Sequence, residues 1–164
     1  MKFILFFFML SSLQVSVLDE VRNQFPKINS LEEVEFHMNL LKKEKGTESK
    51  AYFAAMLFMK AKYVKFPITK YNNFKKGKFI LDQLIQDNKM NVEMRYLRFV
   101  FQNEIPNFLN YNSNIKEDFL SIIKGMEKSD LTIRNKHKIL NNMLLVKNIT
   151  ADQTIQLKLL LNKI

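Results

Sequence analysis

The chain has 164 residues and no cysteine, which excludes a disulfide framework and a thiolate metal site. Three glycines and three prolines are too few for the many tight turns of a β-sandwich or β-barrel. The net charge of +10 and the 47% share of hydrophobic residues indicate a basic, single-domain all-α protein with one core.

The first 16 residues have the pattern of an export signal. Lys2 precedes an apolar run over residues 3–10, and small polar residues follow it. This run is much shorter than the ~20 residues that a membrane-spanning helix needs. We therefore expect residues 1–16 to be a cleaved signal peptide and residues 17–164 to be a single helical domain. Such a protein would be periplasmic or extracellular, with no transmembrane segment in its mature chain.

Caps and apolar spacing place the helices in chain order. A short helix is predicted over 17–25, because a proline follows it and proline cannot continue a helix. Ser30 and Glu33 predict a capping box at the start of the second helix. Ser49 opens the third, which is apolar over 51–59. We predict that this third helix is the central one and is buried on most of its circumference.

Five further helices are predicted from the same signals. Apolar spacing predicts three, over 72–86, 91–105 and 130–146, and capping pairs predict two, Asn114 with Glu117 and Thr150 with Gln153. Ile155 and Leu159 form the apolar stripe that we expect on the last helix. The predicted fold is therefore all-α, with about eight helices in an array of antiparallel helical hairpins.

One segment fits the second helix of a tetratricopeptide repeat. Gly77 occupies the position that this repeat reserves for a small residue, and Leu81 occupies that of a large one. Leu84 and Lys89 depart from the repeat, and no period of roughly 34 residues recurs along the chain. The predicted array therefore resembles a degenerate tetratricopeptide fold.

A larger set of residues resembles a family of small exported bacterial all-helical, tetratricopeptide-like proteins. The residues that carry the resemblance are 18–22, Phe74, Gly77, Lys78, 93–99, Pro106, Phe108, Leu109, Tyr111, Ile115 and Asp118. The family has no assigned activity, so the resemblance implies export and a helical fold but no chemistry. Asn110 stands where a glycine is expected in such proteins.

The positive charge is concentrated in residues 42–78. This window holds eleven lysines against Glu44 and Glu48, a surplus of nine. Six of these lysines form a candidate basic patch: Lys60, Lys62, Lys65, Lys75, Lys76 and Lys78. A basic patch on an exported protein is suited to anionic lipid or envelope glycan, and nucleic acid is not expected there. The other interpretation is a solvated lysine face without a partner.

Four polar residues share one stripe of the helix predicted over 91–105. They are Asn91, Arg95, Arg98 and Gln102, spaced by four, three and four residues. The planar fork of arginine suits bidentate capture of a carboxylate or phosphate, so this stripe is the candidate ligand or peptide site. The alternative is structural ion pairs between the two arginines and nearby acids, namely Glu93, Glu104 or Asp118.

The loop over 106–114 carries Phe108, Leu109 and Tyr111. We expect these side chains to fold back against the end of a helical pair. A surface recognition loop is the less favoured interpretation.

No catalytic pattern accompanies these features. His37 and His137 lie far apart and match no metal-ligand spacing, and no glycine-rich phosphate loop or nucleophile motif is present. No metal or cofactor is predicted. The expected function is that of an exported, non-catalytic binding protein whose partner is another envelope protein or a peptide segment. The alternative is an anionic lipid or glycan binder that uses residues 42–78, and the third interpretation is an enzyme with an unrecognised site.

Overall fold

A computed structural model describes residues 16–164, so the predicted signal peptide falls outside the described residues except for Ser16. The described residues form helices and no strand, which confirms the all-α prediction. The helices are α1 (Val17–Gln24), α2 (Leu31–Leu41), α3 (Thr47–Tyr63), α4 (Pro67–Asp87), α5 (Val92–Glu104), α6 (Ile115–Gly125), α7 (Ile133–Met143) and α8 (Ala151–Leu161), with a 3-10 turn at Asn107–Leu109. None of these helices is both long enough and apolar enough to cross a membrane.

Helix α3 lies at the centre of the array. It packs against α1, α2, α4 and α5, and its contact with α4 is the most extensive between any two of these helices. Its residues from Ala51 to Met59 are buried, apart from the partly buried Phe53, as the apolar run predicts. The chain then continues through α5 and α6, and α7 and α8 pack against the outside of that pair.

A glycine allows α3 and α4 to approach closely. A Cβ atom on Gly77 of α4 would lie 3.0 Å from the carbonyl oxygen of Ala54 and 3.3 Å from Cβ of Leu57, both on α3. A side chain at this position would require α3 and α4 to shift by a few tenths of an ångström. The small residue predicted at this position therefore serves the contact between α3 and α4.

Two helices begin earlier than predicted. Helix α3 begins at Thr47, with Gly46 as its N-cap, and not at Ser49. Helix α4 begins at Pro67, five residues before the predicted start. Proline is favoured at the first helical position because its fixed φ suits the helix and its missing N–H would have no partner there. Pro67 therefore starts α4, whereas the predicted range of 72–86 left it outside the helix.

Of the three predicted capping boxes, only the one at α8 is complete. At α8, the hydroxyl of Thr150 accepts from the N–H of Gln153, and the side chain of Gln153 accepts from the N–H of Thr150. At α2, Ser30 accepts from the N–H of Glu33, as predicted. The carboxylate of Glu33, however, accepts from the N–H of Asn29 and not from that of Ser30.

The apolar stripe predicted for α8 is wrong. Ile155 and Leu159 are 57% and 65% exposed, whereas Leu157 and Leu160 are the buried residues of this helix. Helix α7 is also shorter than predicted, because Thr132 caps it and fixes its start at Ile133.

Candidate functional site: a buried arginine cluster and an apolar groove

Arg95 and Arg98 of α5 share one carboxylate of α6. Arg98 donates from Nε and Nη2 to the two carboxylate oxygens of Asp118, at 2.7 and 2.8 Å. Arg95 donates from Nη1 to Oδ1 of the same carboxylate at 2.8 Å. Asp118 has no exposed surface, and both arginines are 7% exposed. This buried arrangement, which we call the arginine cluster, joins α5 to α6.

The cluster extends to two further acids. Arg95 also donates to Glu117 at 2.9 Å, and Arg98 donates to Asp82 of α4 at 3.3 Å. Burial opposes the charged form of Arg98, but the hydrogen bonds and negative charges of Asp118 and Asp82 raise its pKa above the ordinary value. The guanidinium donors thus face carboxylates of the protein itself. This is the arrangement expected if Arg95 and Arg98 form structural ion pairs.

The Glu117 carboxylate is held by two donors. The hydrogen bond from Arg95 and then that from the Asn114 amide lower the pKa of Glu117. Asn114 uses its side chain for this bond and does not cap α6, so the capping box predicted there is not formed.

The other two members of the predicted stripe have separate partners. Asn91 is the N-cap of α5: its Oδ1 accepts from the N–H of Met94, and its amide donates to Glu48. Gln102 is buried, and its amide donates to Asn114 at a long 3.5 Å. A ligand role for the stripe stays a prediction, and none of its four residues lines the groove that is described below.

A second buried ion pair was not predicted. Arg22 of α1 donates to both oxygens of Glu93 at 2.7 and 2.6 Å, and the hydroxyl of Tyr52 donates to Glu93 at 3.0 Å. Burial and the negative charge of Glu93 raise the pKa of Tyr52. Glu93 therefore joins α1 and α3 to α5, whereas the sequence suggested it as a partner of Arg95 or Arg98.

The predicted basic patch is only partly available. Lys60 pairs with Glu35 at 2.8 Å, and the half-buried Lys78 lies over the ring of Tyr111. The remaining lysines of the patch are exposed: Lys62, Lys65, Lys75 and Lys76. Of these, Lys62 lies over the ring of Tyr63 and Lys75 over that of Tyr71.

An open groove of about 790 Å³ is bounded by described residues. It lies where α3, α4 and α5 meet the end of α1, the 3-10 turn and the connection between α7 and α8. Its apolar lining consists of Phe25, Pro26, Phe58, Met59, Ala61, Pro67, Phe74, Val100, Phe101, Ile105, Pro106, Phe108, Leu109, Leu145 and Val146.

Stacked aromatic rings form the buried floor of this groove. The ring of Phe58 stacks on that of Phe101, with centroids 4.5 Å apart, and packs against Phe74 at 6.0 Å. Phe25 approaches Phe101 from the end of α1, at 5.8 Å. Because all four rings are buried, the floor is a rigid part of the core and not a loose surface.

The aromatic loop divides between the core and the groove. Tyr111 is buried and stacks on Phe58, as predicted, whereas Phe108 is 79% exposed and forms one wall of the groove. Asn110 lies between them with φ 50° and ψ 49°. This left-handed conformation is the one that glycine favours and that asparagine tolerates better than other residues do. It allows Phe108 and Tyr111 to point to different surroundings.

The rim of the groove carries four charged residues: Lys62, Lys70, Glu104 and Lys147. Lys147 lies 3.5 Å from the carboxylate of Glu104. Lys70 donates to the backbone carbonyl of Lys62 at 3.3 Å, which brings the Lys70 ammonium to the last turn of α3. Neither Lys62 nor Lys70 has a carboxylate within salt-bridge distance among residues 16–164.

The two histidines have no common site. His37 is buried and packs edge-on against Phe36, and His137 lies on α7. No group of three or more histidine or acidic side chains in the described part of the chain could hold a metal ion.

No protein-family model, curated protein or solved structure matches this chain. The resemblance to the exported helical family therefore remains an expectation from the sequence.

Proposed function

We propose that this chain is an exported, non-catalytic helical binding protein and that its ligand lies in the groove. The observation that carries the proposal is an open, mainly apolar cavity of about 790 Å³. Small-molecule sites have volumes of roughly 300–1,000 Å³, apolar linings and a few polar groups at defined positions. The groove has each of these properties.

Two exposed apolar side chains support this proposal. Phe108 and Leu145 are 79% and 77% exposed, and both line the groove. Full burial of a side chain of this kind stabilises a complex by about 1.5–3 kcal/mol. A ligand that covers both walls would gain this energy, in addition to its contacts with the aromatic floor.

The polar groups of the groove support a binding role rather than catalysis. They are Lys62, Lys70, Tyr71, Glu104, Asn142 and Lys147. The lining contains no histidine, serine, threonine or aspartate, and its one close ionisable pair, Lys147 with Glu104, is exposed to water.

The same lining restricts how a protein partner could bind. An extended peptide would place unpaired amide groups against an apolar surface, at a high cost in free energy. Another envelope protein or peptide would therefore have to present a helix, whose backbone hydrogen bonds are internal.

A neutral fluorophore tests the proposal. We expect N-phenyl-1-naphthylamine to bind the purified chain with a saturable rise in fluorescence. The variant Phe108→Ser should weaken this binding several-fold, because it removes one wall of the groove. The matched control is Phe79→Ser on α4, since Phe79 is 68% exposed but does not line the groove. Absence of saturable binding, or equal loss in both variants, would reject the groove as the binding site.

A second candidate function is the binding of anionic lipid or envelope glycan through residues 42–78. The observation that favours it is that Lys65, Lys75 and Lys76 are exposed and have no acidic partner among the described residues. Ile68 and Phe79 are exposed on the same helix and could enter a lipid surface. Retention on anionic vesicles should then disappear at about 0.5 M salt, and retention that persists would contradict an electrostatic mechanism.

A further inference from the structure

We infer that the ligand of the groove is a single-chain anionic amphiphile, with its apolar chain on the aromatic floor and its carboxylate or phosphate group beside Lys62 and Lys70. This inference rests on the proposed function and adds the chemical class of the ligand. It depends on two observations, the charge balance of the rim and the composition of the floor.

The rim has an unbalanced positive charge. Its only acidic residue, Glu104, lies 3.5 Å from Lys147, so that pair is already neutral. Lys62 and Lys70 have no acidic partner in the described chain. The Lys70 ammonium donates to the Lys62 carbonyl, and the Lys62 ammonium lies 5.4 Å from the centre of the Tyr63 ring, so both cations are near the last turn of α3. An anionic group between them would complete the charge balance, whereas an uncharged ligand would leave two cations at the rim.

The floor requires an apolar chain and not a polar one. Phe58, Phe74 and Phe101 present ring surfaces that offer no hydrogen-bond partner. A sugar or an extended peptide would lose hydrogen bonds to water on entering this surface, while a hydrocarbon chain would lose none. A molecule with an apolar chain and one anionic end therefore satisfies both parts of the groove.

The contribution of the anionic end should be moderate. Lys62 and Lys70 are both exposed, so their ion pairs with a ligand remain partly screened by water. Two such contacts correspond to a preference of about 2- to 30-fold for an anionic ligand over a neutral ligand with the same chain. The preference should fall as the salt concentration rises.

Displacement of N-phenyl-1-naphthylamine by matched ligands tests the inference. Laurate and dodecyl phosphate supply the two anionic groups, and dodecanol supplies the same chain without a charge. We expect both anions to displace the fluorophore at lower concentrations than dodecanol does. The double variant Lys62→Gln, Lys70→Gln should remove this preference without changing displacement by dodecanol. The control Lys50→Gln, Lys76→Gln removes two exposed lysines outside the groove and should retain the preference.

The outcomes separate this inference from the proposed function. If the fluorophore binds but dodecanol displaces it as well as laurate does, the amphiphile inference is wrong, while the groove is still supported as the binding site. The amphiphile inference is also wrong if the variant Lys62→Gln, Lys70→Gln still prefers anionic ligands. If a helical amphipathic peptide displaces the fluorophore and laurate does not, the occupant is a protein segment and the inference is overturned. A preference for laurate over dodecyl phosphate, or the reverse, identifies the anionic group.

Discussion

Replacement of Asp118 by asparagine would leave two buried cations without their shared anion. The substitution keeps the shape of the side chain, removes its charge and replaces one acceptor oxygen with an NH2 donor that faces the guanidinium groups. In the native protein this carboxylate accepts three hydrogen bonds, two from Arg98 and one from Arg95. Since Asp118 is fully buried, water cannot replace the lost charge without opening the contact between α5 and α6.

The magnitude of the effect follows from the burial of the pair. Removal of one partner from a buried ion pair costs about 3–5 kcal/mol. Glu117 and Asp82 still contact the two arginines after the substitution, so we expect the lower part of this range. For a domain of this size each kcal/mol lowers Tm by about 2–4 °C, so a loss of about 3–4 kcal/mol gives a fall of about 6–16 °C.

Urea unfolding followed by circular dichroism at pH 7 measures this difference. The matched control is Glu117→Gln, because Glu117 pairs with the same Arg95 but its side chain is 56% exposed. We expect the control to lose less than about 1 kcal/mol. A loss below about 1 kcal/mol for Asp118→Asn, or equal losses for the two variants, would refute the assignment of Asp118 as a buried, structural anion.

Three further predictions concern the packing and its pH dependence. In Gly77→Ala the new Cβ would lie 3.0 Å from the Ala54 carbonyl, a contact that costs about 1–3 kcal/mol, while the higher helix propensity of alanine offsets about 1 kcal/mol. The free energy of unfolding should therefore fall by up to about 2 kcal/mol, and an increase in stability would contradict this. Glu93→Gln should cost about 1.5–3 kcal/mol and accelerate amide hydrogen exchange in α1, because Arg22 loses its buried anionic partner and keeps only the exposed Asp19; unchanged exchange would contradict the contact. The stabilisation from Glu117, whose pKa is lowered, is complete above its ordinary pKa of 4.5 and is lost as the pH falls through its lower folded value. Unfolding measured between pH 6 and about pH 2 should therefore show a shallower acid loss for Glu117→Gln than for the native chain.

The local part of the fold could be predicted from the sequence. Caps and apolar spacing act within a few residues, and they identified the helices that the structure contains. The errors arise where a local signal has two meanings. Pro67 can end one helix or start the next, and the preceding run of residues does not decide between them.

The buried face of α8 depends on tertiary contacts. Ile155, Leu157, Leu159 and Leu160 are all apolar, so the spacing within the helix allows more than one face to be buried. Contacts with α6 and α7 select Leu157 and Leu160. The sequence contains no signal for this choice.

The candidate sites also differ in how far the sequence could predict them. Asp118 could be suggested as a partner of Arg95 and Arg98, because all three are polar residues on adjacent predicted helices. The pair of Arg22 and Glu93 spans 71 residues of sequence, and nothing local connects its members. The groove was missed altogether because its walls come from several segments that meet only in the folded chain.

The most direct measurement is a methyl-group nuclear magnetic resonance titration of the chain with N-phenyl-1-naphthylamine. We expect the largest shifts, from the ring current of the bound probe, at Ala61, Val100 and Val146, which line the groove. The methyl groups of Leu81, buried elsewhere in the core, should not move. Saturable shifts confined to Ile68 on the outer part of α4, or no saturable shifts at all, would contradict the groove as the binding site.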